Sequence, residues 1–422
     1  MGLFSSVYSS AATEHVRHDI DIALVPATRT SSTTPATTPT RRVDIPLELV
    51  YDILEHAALT PATEPDRATL RASALVCSSW LVPAQRLLFR HVALRDASAA
   101  DTFRVTMERQ PALAAAVRSL RATVDRNQPD GLSELTFAHV VKCCPRLETV
   151  HLALFGPAAD VATNADRNTT DSVGLDVDTL ALLAAGPRIS ALHLANWSAD
   201  ATVLFDLLAA WSNCVRALSL AGVPPVLPLT TTQPCAMPIE ALRVNCTGPL
   251  NPECADWLLR DARLRALDVA RVWDDEALRM LEAQGSALEA LALPALQEPA
   301  LVDAVRDGCP RLRTLTVAGA WIAPAVWRAE ACSLEHLAMG LAHSTNLHGV
   351  VRAVHNGALR SVTLRSSPDG IRHPQLVPLK MACAMSGVDF LITSDVREFK
   401  MVTAHEFSAS AGTDMFTQIA AS

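Results

Sequence analysis

Histidine and cysteine are the residues of this chain best suited to ligate a metal or act as nucleophiles, and their spacing favours neither use. The ten cysteines are scattered without a C-x-x-C pair, and the adjacent Cys143 and Cys144 suit neither a zinc site nor a disulfide framework. His348 and His355 share a helix face seven residues apart, too far for one metal. We therefore expect buried, reduced cysteines, solvated side chains at His348 and His355, and no metal or cofactor.

Motifs of catalytic and nucleotide-binding proteins are absent as well. The sequence contains no G-x-S-x-G, G-x-G-x-x-G, Walker loop or H-E-x-x-H, although a triad assembled in space stays open. The net charge is −8 without a Lys/Arg run, so we do not expect nucleic-acid binding. No apolar run reaches the roughly 18 residues of a membrane span, and the N-terminus lacks the features of a secretory signal. These absences favour a non-enzymatic protein of the cytoplasm or nucleus.

One targeting motif does match at the start of the chain. Met1, Gly2 and Ser6 have the M-G-x-x-x-S form of a myristoylation signal. A single acyl chain anchors a protein only marginally, and neither a cysteine nor a basic cluster lies nearby. We interpret the match as coincidental.

An internal repeat dominates the sequence from about residue 117 onward. After one longer step of 42 residues, the pattern L-x-x-L-x-L, with aliphatic substitutes, recurs at steps of 22 to 26. The nine copies begin at Leu147, Ile189, Val215, Ile239, Leu264, Leu288, Leu312, Leu334 and Leu359. A degenerate copy at Val117 precedes them, and "VDFLIT" (388–393) is a candidate last strand.

The spacing within and between the copies predicts an α/β solenoid. The second and third aliphatic residues of each copy lie two apart, so they point to one face of a strand. Helical stretches such as 177–186 and 275–285 separate the copies, which makes the strands parallel and the units dependent on their neighbours. We expect a horseshoe with strands inside and helices outside. It resembles leucine-rich repeats, especially the cysteine-containing kind, because "CPRL" occurs at Cys144 and Cys309.

The strand residues between the inward aliphatics would line the concave face of such a horseshoe. They are His151, His193, Ser219, Arg243, Asp268, Ala292, Thr316, Ala338 and Thr363, polar at first and small and neutral later. Two interpretations stay open. His151, His193, Arg243 and Asp268 are candidates for contacts with a bound substrate, or the whole row is simply solvated.

Large aromatic residues follow several of the strands. Phe155, Trp197, Trp273 and Trp321 lie eight or nine residues after the first aliphatic of their copies. Trp is common at binding hot spots, which makes Trp197, Trp273 and Trp321 candidates for substrate contacts. We favour the alternative that they plug the space between turns, because an exposed row of Trp would promote aggregation.

Four segments follow from these patterns. Residues 1–42 form a disordered Ser/Thr/Pro-rich tail, 43–95 a helical module, 96–400 the repeats and 401–422 a C-terminal tail. In the module, Pro46 opens a first helix, a second extends from Leu70 to near Trp80, and Pro83 opens a third. About fifty residues of helix bury little surface alone.

The module resembles an F-box-like domain of the form common in fungal proteins. Its first element, L/I-P-x-E-L/I-x-x-x-I-L, is carried by Ile45, Pro46, Glu48, Leu49, Ile53 and Leu54. Its second element, V-C-x-x-W, is carried by Val76, Cys77 and Trp80, and "LLFRHVAL" leads into the repeats. The insertion "TPATEPDR" lengthens the first interhelical loop, which costs little at a surface.

The resemblance implies partners. F-box modules dock onto the small Skp adaptor of Skp–cullin–F-box ubiquitin ligases and, through it, onto a cullin. It places Ile45, Pro46, Leu47, Val50, Ile53, Leu54 and Trp80 in or beside that contact. The chain would then be a substrate-recognition subunit whose repeats bind an unknown target protein. The alternative is a non-ligase interaction scaffold in which the three helices only cap the first repeat.

Overall fold

The structure is a computed structural model of the 422-residue chain. It describes residues 45–58, 66–156, 175–211, 214–228, 237–271, 274–328, 334–357, 359–366, 370–396 and 399. Both predicted tails, Trp273, most of the "TPATEPDR" loop and the insertion after Gly156 lie outside the described residues. All described elements belong to one compact unit, Ile45–Ser422.

Three helices at the start of this unit form a small core of their own. They are α1 (Leu47–Ala58), α2 (Arg67–Ala74) and α3 (Ser78–Arg90). The core consists of Val50, Leu54, Ala58, Leu70 and Ala84. Trp80, Leu87 and Leu88 pack against it from α3. The three predicted helices are therefore present.

The boundary between the second and third helices differs from the prediction. The second helix ends at Ala74, and Cys77 is the N-cap of a third helix that contains Pro83 in its interior. Proline lacks an N–H and interrupts one hydrogen bond of a helix. Because the buried Pro83 and Ala84 face the small core, packing keeps the helix intact through this position. The expectation that Pro83 opens the helix is wrong.

Twelve parallel strands form one sheet in the described part of the chain, and their spatial order is their order in the sequence. They are β1 (His91–Leu94), β2 (Ser119–Asp125), β3 (Thr149–Phe155), β4 (Ala191–Trp197), β5 (Ala217–Gly222), β6 (Ala241–Cys246), β7 (Ala266–Val269), β8 (Ala290–Leu293), β9 (Thr314–Val317), β10 (His336–Leu341), β11 (Ser361–Ser366) and β12 (Asp389–Thr393). Each of the nine repeat copies forms a strand that begins two residues after its first aliphatic residue.

Helices connect most of the strands. They are α4 (Ala97–Arg109), α5 (Pro111–Ala114), α6 (Glu134–Cys143), α7 (Val177–Ala184), α8 (Val203–Ala210), α9 (Pro252–Leu259), α10 (Asp274–Gln284), α11 (Pro299–Gly308), α12 (His348–His355) and α13 (Leu376–Ser386). Short 3-10 helices occur at Gly285–Ala287, Pro324–Arg328 and Gly370–Arg372. This architecture agrees with the predicted α/β solenoid.

Capping residues, prolines and a glycine explain where several helices begin or end. Asp66 and Ser133 are N-caps whose side chains accept backbone N–H groups of the first turn. Pro252 and Pro299 occupy the first turn, where no intrahelical N–H is needed. At the end of α13, Gly387 takes the left-handed conformation with φ of 67°.

The main core lies between the strands and the helices. In β4, Leu192 and Leu194 are buried within it, and Leu192 pairs in register with Val150 and Leu218 of the flanking strands. Since alternate residues of a strand point to opposite faces, His193 lies on the side of the sheet away from this core. Five of the eight described cysteines are buried, including Cys144 and Cys309, as predicted, whereas Cys143 and Cys214 are half-buried and the expectation of burial is wrong for the exposed Cys77.

Ion pairs connect the chain segments that lead into the strands. From β5 to β11 the residue immediately before each strand alternates between Arg and Glu, Arg118 and Glu148 precede β2 and β3, and the neutral Ser190 before β4 interrupts the series. The ion pairs are Arg118–Glu148, Arg216–Glu240, Arg265–Glu289, Arg313–Glu335 and Arg360–Glu335. Arg265 binds Glu289 with two hydrogen bonds, of 3.1 and 2.7 Å. We call these residues the Arg/Glu ladder.

Candidate functional site

The helical module exposes an unusual amount of apolar surface. Its exposed large apolar side chains, which we call the apolar module face, are Ile45, Leu47, Leu49, Ile53, Leu75, Val76, Leu81 and Val82. Leu75 is the most exposed of them at 86%. Exposed large apolar side chains that are concentrated in one small region commonly mark an interaction site or an aggregation hazard. Such surface is therefore concentrated on α1, the turn after α2 and the start of α3.

The residues that the resemblance assigned to an adaptor contact divide into two groups. Ile45, Pro46, Leu47 and Ile53 are exposed. Val50 and Leu54 are only 1% exposed and belong to the module's core, and the half-buried Trp80 packs against that core. The apolar residues of α1 therefore include side chains that hold the module together and side chains that face outward.

The module continues into the sheet without a linker. α3 ends at Arg90, and β1 begins at His91. Glu55 of α1 forms an ion pair with Arg90, and Arg67 of α2 donates a hydrogen bond of 3.4 Å to the His91 carbonyl oxygen. Burial, together with the charges of Arg90 and Arg67, lowers the pKa of the His91 imidazole to about 4. The junction is thus fixed by contacts from all three helices.

A row of polar side chains crosses the sheet on the side away from the main core. In register, Arg121, His151, His193, Ser219, Arg243 and Asp268 occupy the central position of β2 to β7. The His151 and His193 rings stack with centroids 4.0 Å apart and planes 4° from parallel. Arg243 Nε lies 3.0 Å from Asp268 Oδ2. We call these six residues the polar row.

Burial within the polar row is greater than the sequence suggests. His193 is 7% exposed and Ser219 7%, so the interpretation of the row as solvated is wrong for them. Neighbouring strands lie about 4.8 Å apart, and side chains in one row therefore cover one another. Burial, His151, Arg243 and Arg121 lower the pKa of His193 well below its usual value, and its Nε2 has no hydrogen-bond partner.

The row changes character in the second half of the sheet. The same position in β8 to β11 holds Ala292, Thr316, Ala338 and Thr363, all buried. Neither a cation nor an anion stands among them. Among the residues at this position, charged side chains are therefore confined to β2 to β7, and on the same face of β11 a cation follows two residues later at Arg365.

Exposed aromatic side chains stand at the carboxyl ends of the strands. Phe155 and Trp197 pair in register and are 37% and 47% exposed, and Trp321 is 49% exposed. The expectation that these aromatics plug the space between turns is wrong. Phe155 and Trp197 lie an even number of residues after His151 and His193, so they point away from the main core. Trp273 lies outside the described residues.

Two features of these surfaces were not inferred from the sequence. Leu75 and Val76 extend the apolar module face, and their place directly before Cys77 in the second F-box-like element could have drawn attention to them. The second feature is the buried carboxyl group of Glu276, whose Oε1 has no hydrogen-bond partner. Its burial was not predictable from the sequence, because an acidic residue early in a helix is ordinarily solvated.

The described residues contain no cluster of three or more His, Cys, Asp or Glu side chains that could hold a metal ion. Across the same residues, the helices are too short or too polar to cross a membrane. His348 and His355 are both exposed on α12, as predicted. The surfaces described above are suited to binding by contact, through apolar, aromatic and charged groups.

Comparison with known proteins does not assign the chain to a family. No protein-family model matches the chain, and no curated protein matches it either. The fold itself defines an α/β repeat protein with a twelve-stranded parallel sheet in its described residues, preceded by three helices.

Proposed function

We propose that this protein is the substrate-recognition subunit of a Skp–cullin–F-box ubiquitin ligase. In this proposal α1 to α3 are an F-box-like module that docks a Skp-type adaptor, and the sheet with its helices is a leucine-rich-repeat domain that binds a target protein. The observation that carries the proposal is the apolar module face, which adjoins a repeat domain without a linker. Catalysis would lie in other subunits of the ligase.

The exposed part of the module is the surface assigned to the adaptor. Ile45, Pro46, Leu47 and Ile53 keep that role, and Leu75 and Val76 join them. Val50 and Leu54 support the contact from the module's core. A direct α3–β1 connection would also serve a ligase, since a target held on the repeats needs a defined position relative to the adaptor.

Adaptor binding tests the proposal. Leu47→Asp and Leu75→Asp each replace an exposed leucine by a charge and leave the module core untouched. Burial of a leucine contributes about 1.5–3 kcal/mol, so each variant is expected to weaken binding about 10- to 100-fold. Met385→Asp is the matched control, because Met385 is exposed on α13 at the far end of the sheet.

Calorimetry with a purified Skp-type adaptor gives the affinities. Wild-type protein that fails to bind at about 10 μM would refute the ligase assignment. Equal weakening by Met385→Asp would show that any new charge disturbs the complex, and the contact would have to be reassigned.

A non-ligase interaction scaffold is the second candidate function. It is favoured by Phe89 and Val92, which pack against the main core from the end of α3 and from β1, as in a helical cap of the first repeat. The same titration decides between the two, since a scaffold has no need to bind the adaptor.

A further inference from the structure

A second line of arginines lies beside the Arg/Glu ladder, at the edge of the sheet where the strands begin. Four repeat copies carry an arginine directly before their first aliphatic residue, three residues ahead of the strand. These residues, which we call the basic rim, precede β3, β4, β7 and β9 and are Arg146, Arg188, Arg263 and Arg311. All four side chains are exposed.

The charges of the basic rim are not compensated. At the same position, β2, β5, β6 and β8 are preceded by the neutral residues Ala116, Cys214, Pro238 and Ala287. The ladder arginines pair with ladder glutamates, but among the described residues no rim arginine takes part in an ion pair. Even the exposed Asp261, two residues before Arg263, forms none with it. The rim therefore holds four unpaired positive charges in a chain whose net charge is −8.

The nearby helix ends explain only part of this arrangement. Each rim arginine comes three or four residues after the last residue of α6, α7, α9 or α11. A cation near a helix C-terminus offsets the partial negative charge there, but the effect falls off outside the last turn. It also needs no ion-pair partner, so each exposed guanidinium remains available to an anion at the surface.

The spacing of the rim favours a linear anionic partner. Neighbouring strands lie about 4.8 Å apart, so the rim positions at β3 and β9, six strand intervals apart, are separated by about 29 Å. An extended peptide covers that distance with about nine residues, at about 3.3 Å each. A single small anion would meet only part of the rim.

We propose that the basic rim binds an extended acidic segment of a protein partner, whose Asp or Glu carboxylates pair with the rim guanidinium groups. Arginine and carboxylate form charge-assisted, often paired hydrogen bonds, which fix orientation as well as add energy. A nucleic acid or an anionic membrane presents a large anionic surface, which the net charge of −8 would repel, whereas a short segment meets only the rim. The inference goes beyond the proposed function and does not depend on adaptor docking, and its test uses no adaptor.

Fluorescence anisotropy with the full-length protein measures this binding. The probe is a fluorescein-labelled oligoglutamate peptide, about nine residues long to match the rim, and oligoglutamine of the same length is its neutral counterpart. One variant combines Arg146→Gln with Arg188→Gln, and a second combines Arg263→Gln with Arg311→Gln. Arg71→Gln with Arg95→Gln is the matched control, because it removes the same charge from two exposed arginines outside the rim. Thermal unfolding checks that every variant is folded during the titration.

Oligoglutamate is expected to bind wild type saturably, and more weakly at about 150 mM than at about 50 mM salt, whereas oligoglutamine should not bind. Each rim variant should weaken binding about fivefold, because two exposed ion pairs are lost, and the control should bind as wild type does. Absence of saturable binding, equal binding of oligoglutamine, or a folded rim variant that binds normally would overturn the proposal. So would a control that is weakened as much as the rim variants.

Two further probes distinguish the other anionic partners. They are vesicles of phosphatidylcholine and phosphatidylserine, and a labelled oligothymidylate. Both are expected to bind wild type more weakly than oligoglutamate does. If either binds more tightly and loses that binding in the rim variants, the rim is a membrane or nucleic-acid surface and the assignment to an acidic protein segment is wrong.

Discussion

The half-buried imidazole of His91, at the junction of module and sheet, makes stability depend on pH in a defined way. In the folded protein the pKa of His91 is lowered from 6.5 to about 4 by burial and by the nearby charges of Arg90 and Arg67. The unfolded chain therefore binds a proton at His91 between pH 6.5 and 4, whereas the folded chain does not. The stability tied to this neutral ring is fully present above pH 6.5 and is lost as the pH falls towards 4.

The difference of about 2.5 pKa units corresponds to about 3 kcal/mol, at about 1.4 kcal/mol per unit. His91→Gln removes the titrating group and keeps a polar side chain. We expect the free energy of unfolding of wild type to fall more steeply below pH 6.5 than that of the variant, by up to about 3 kcal/mol at pH 4. Urea titrations at half-unit pH steps measure both curves.

Subtraction of the two curves removes the contributions of all carboxylates and of His193, which both proteins share. His348→Gln is the control, because His348 is exposed on α12, and its curve should run parallel to that of wild type. A His91→Gln curve that runs parallel to wild type, with or without a constant loss of stability, would refute the assignment of a neutral ring at the junction. A constant loss would then show that His91 matters only for packing.

Three further predictions concern the repeats and the thiols. Arg265→Met and Glu289→Gln, measured singly and together, should reveal a coupling of about 0.5–1 kcal/mol that shrinks in 1 M salt, because the pair is partly exposed. Gly222→Ala should lower stability by at least about 2 kcal/mol in thermal unfolding, since Gly222 has φ of 86° and a Cβ there would lie 2.0 Å from a carbonyl oxygen of β4. Among the eight described cysteines, Ellman's reagent at pH 7.5 should modify Cys77 first, because its thiol is exposed and its hydrogen bond with Ser79 lowers its pKa, whereas burial raises the pKa of Cys254 to about 12.

Each of these measurements has a matched comparison. Gly308→Ala should leave stability nearly unchanged, as a Cβ there meets no atom within 4 Å, and equal losses at both glycines would contradict the steric explanation. Cys77→Ser should remove the fast phase of thiol modification. A coupling between Arg265 and Glu289 that is zero, or that does not respond to salt, would show that the ladder contributes no electrostatic stability.

Strand positions were predictable from the sequence because one strong physical requirement repeats. Each unit must bury two aliphatic residues on one side of a strand, so the pattern recurs and fixes both the strand and its facing direction. The start of β4, for example, follows from Ile189, Leu192 and Leu194 alone. The Arg/Glu ladder was not predicted, although the residue after the first aliphatic alternates between Arg and Glu in the copies from Val215 to Leu359.

The strand β1 lacked such a signal. His91–Leu94 carries only part of the repeat pattern, and its pairing with β2 is decided by the neighbour rather than by its own residues. The exposure of the aromatic residues could not be predicted from the sequence for a different reason. The sequence places Phe155 and Trp197 after their strands, but whether they are covered depends on what lies above the sheet, which no local pattern encodes.

What the sequence by itself determined is the repeat, its helices and strands, and the resemblance of residues 45–94 to an F-box-like module. The repeat depends on periodicity and the resemblance depends on short motifs. Both can be read from residues that are close together in the chain. Only the tertiary structure decided which members of an apolar stripe are inside, as Val50 and Leu54 are, and which remain outside, as Leu47 and Ile53 do. It also brought His151 onto His193 and buried Glu276 beside Leu250, because residues 24 or more apart in the chain become neighbours only when the repeats stack.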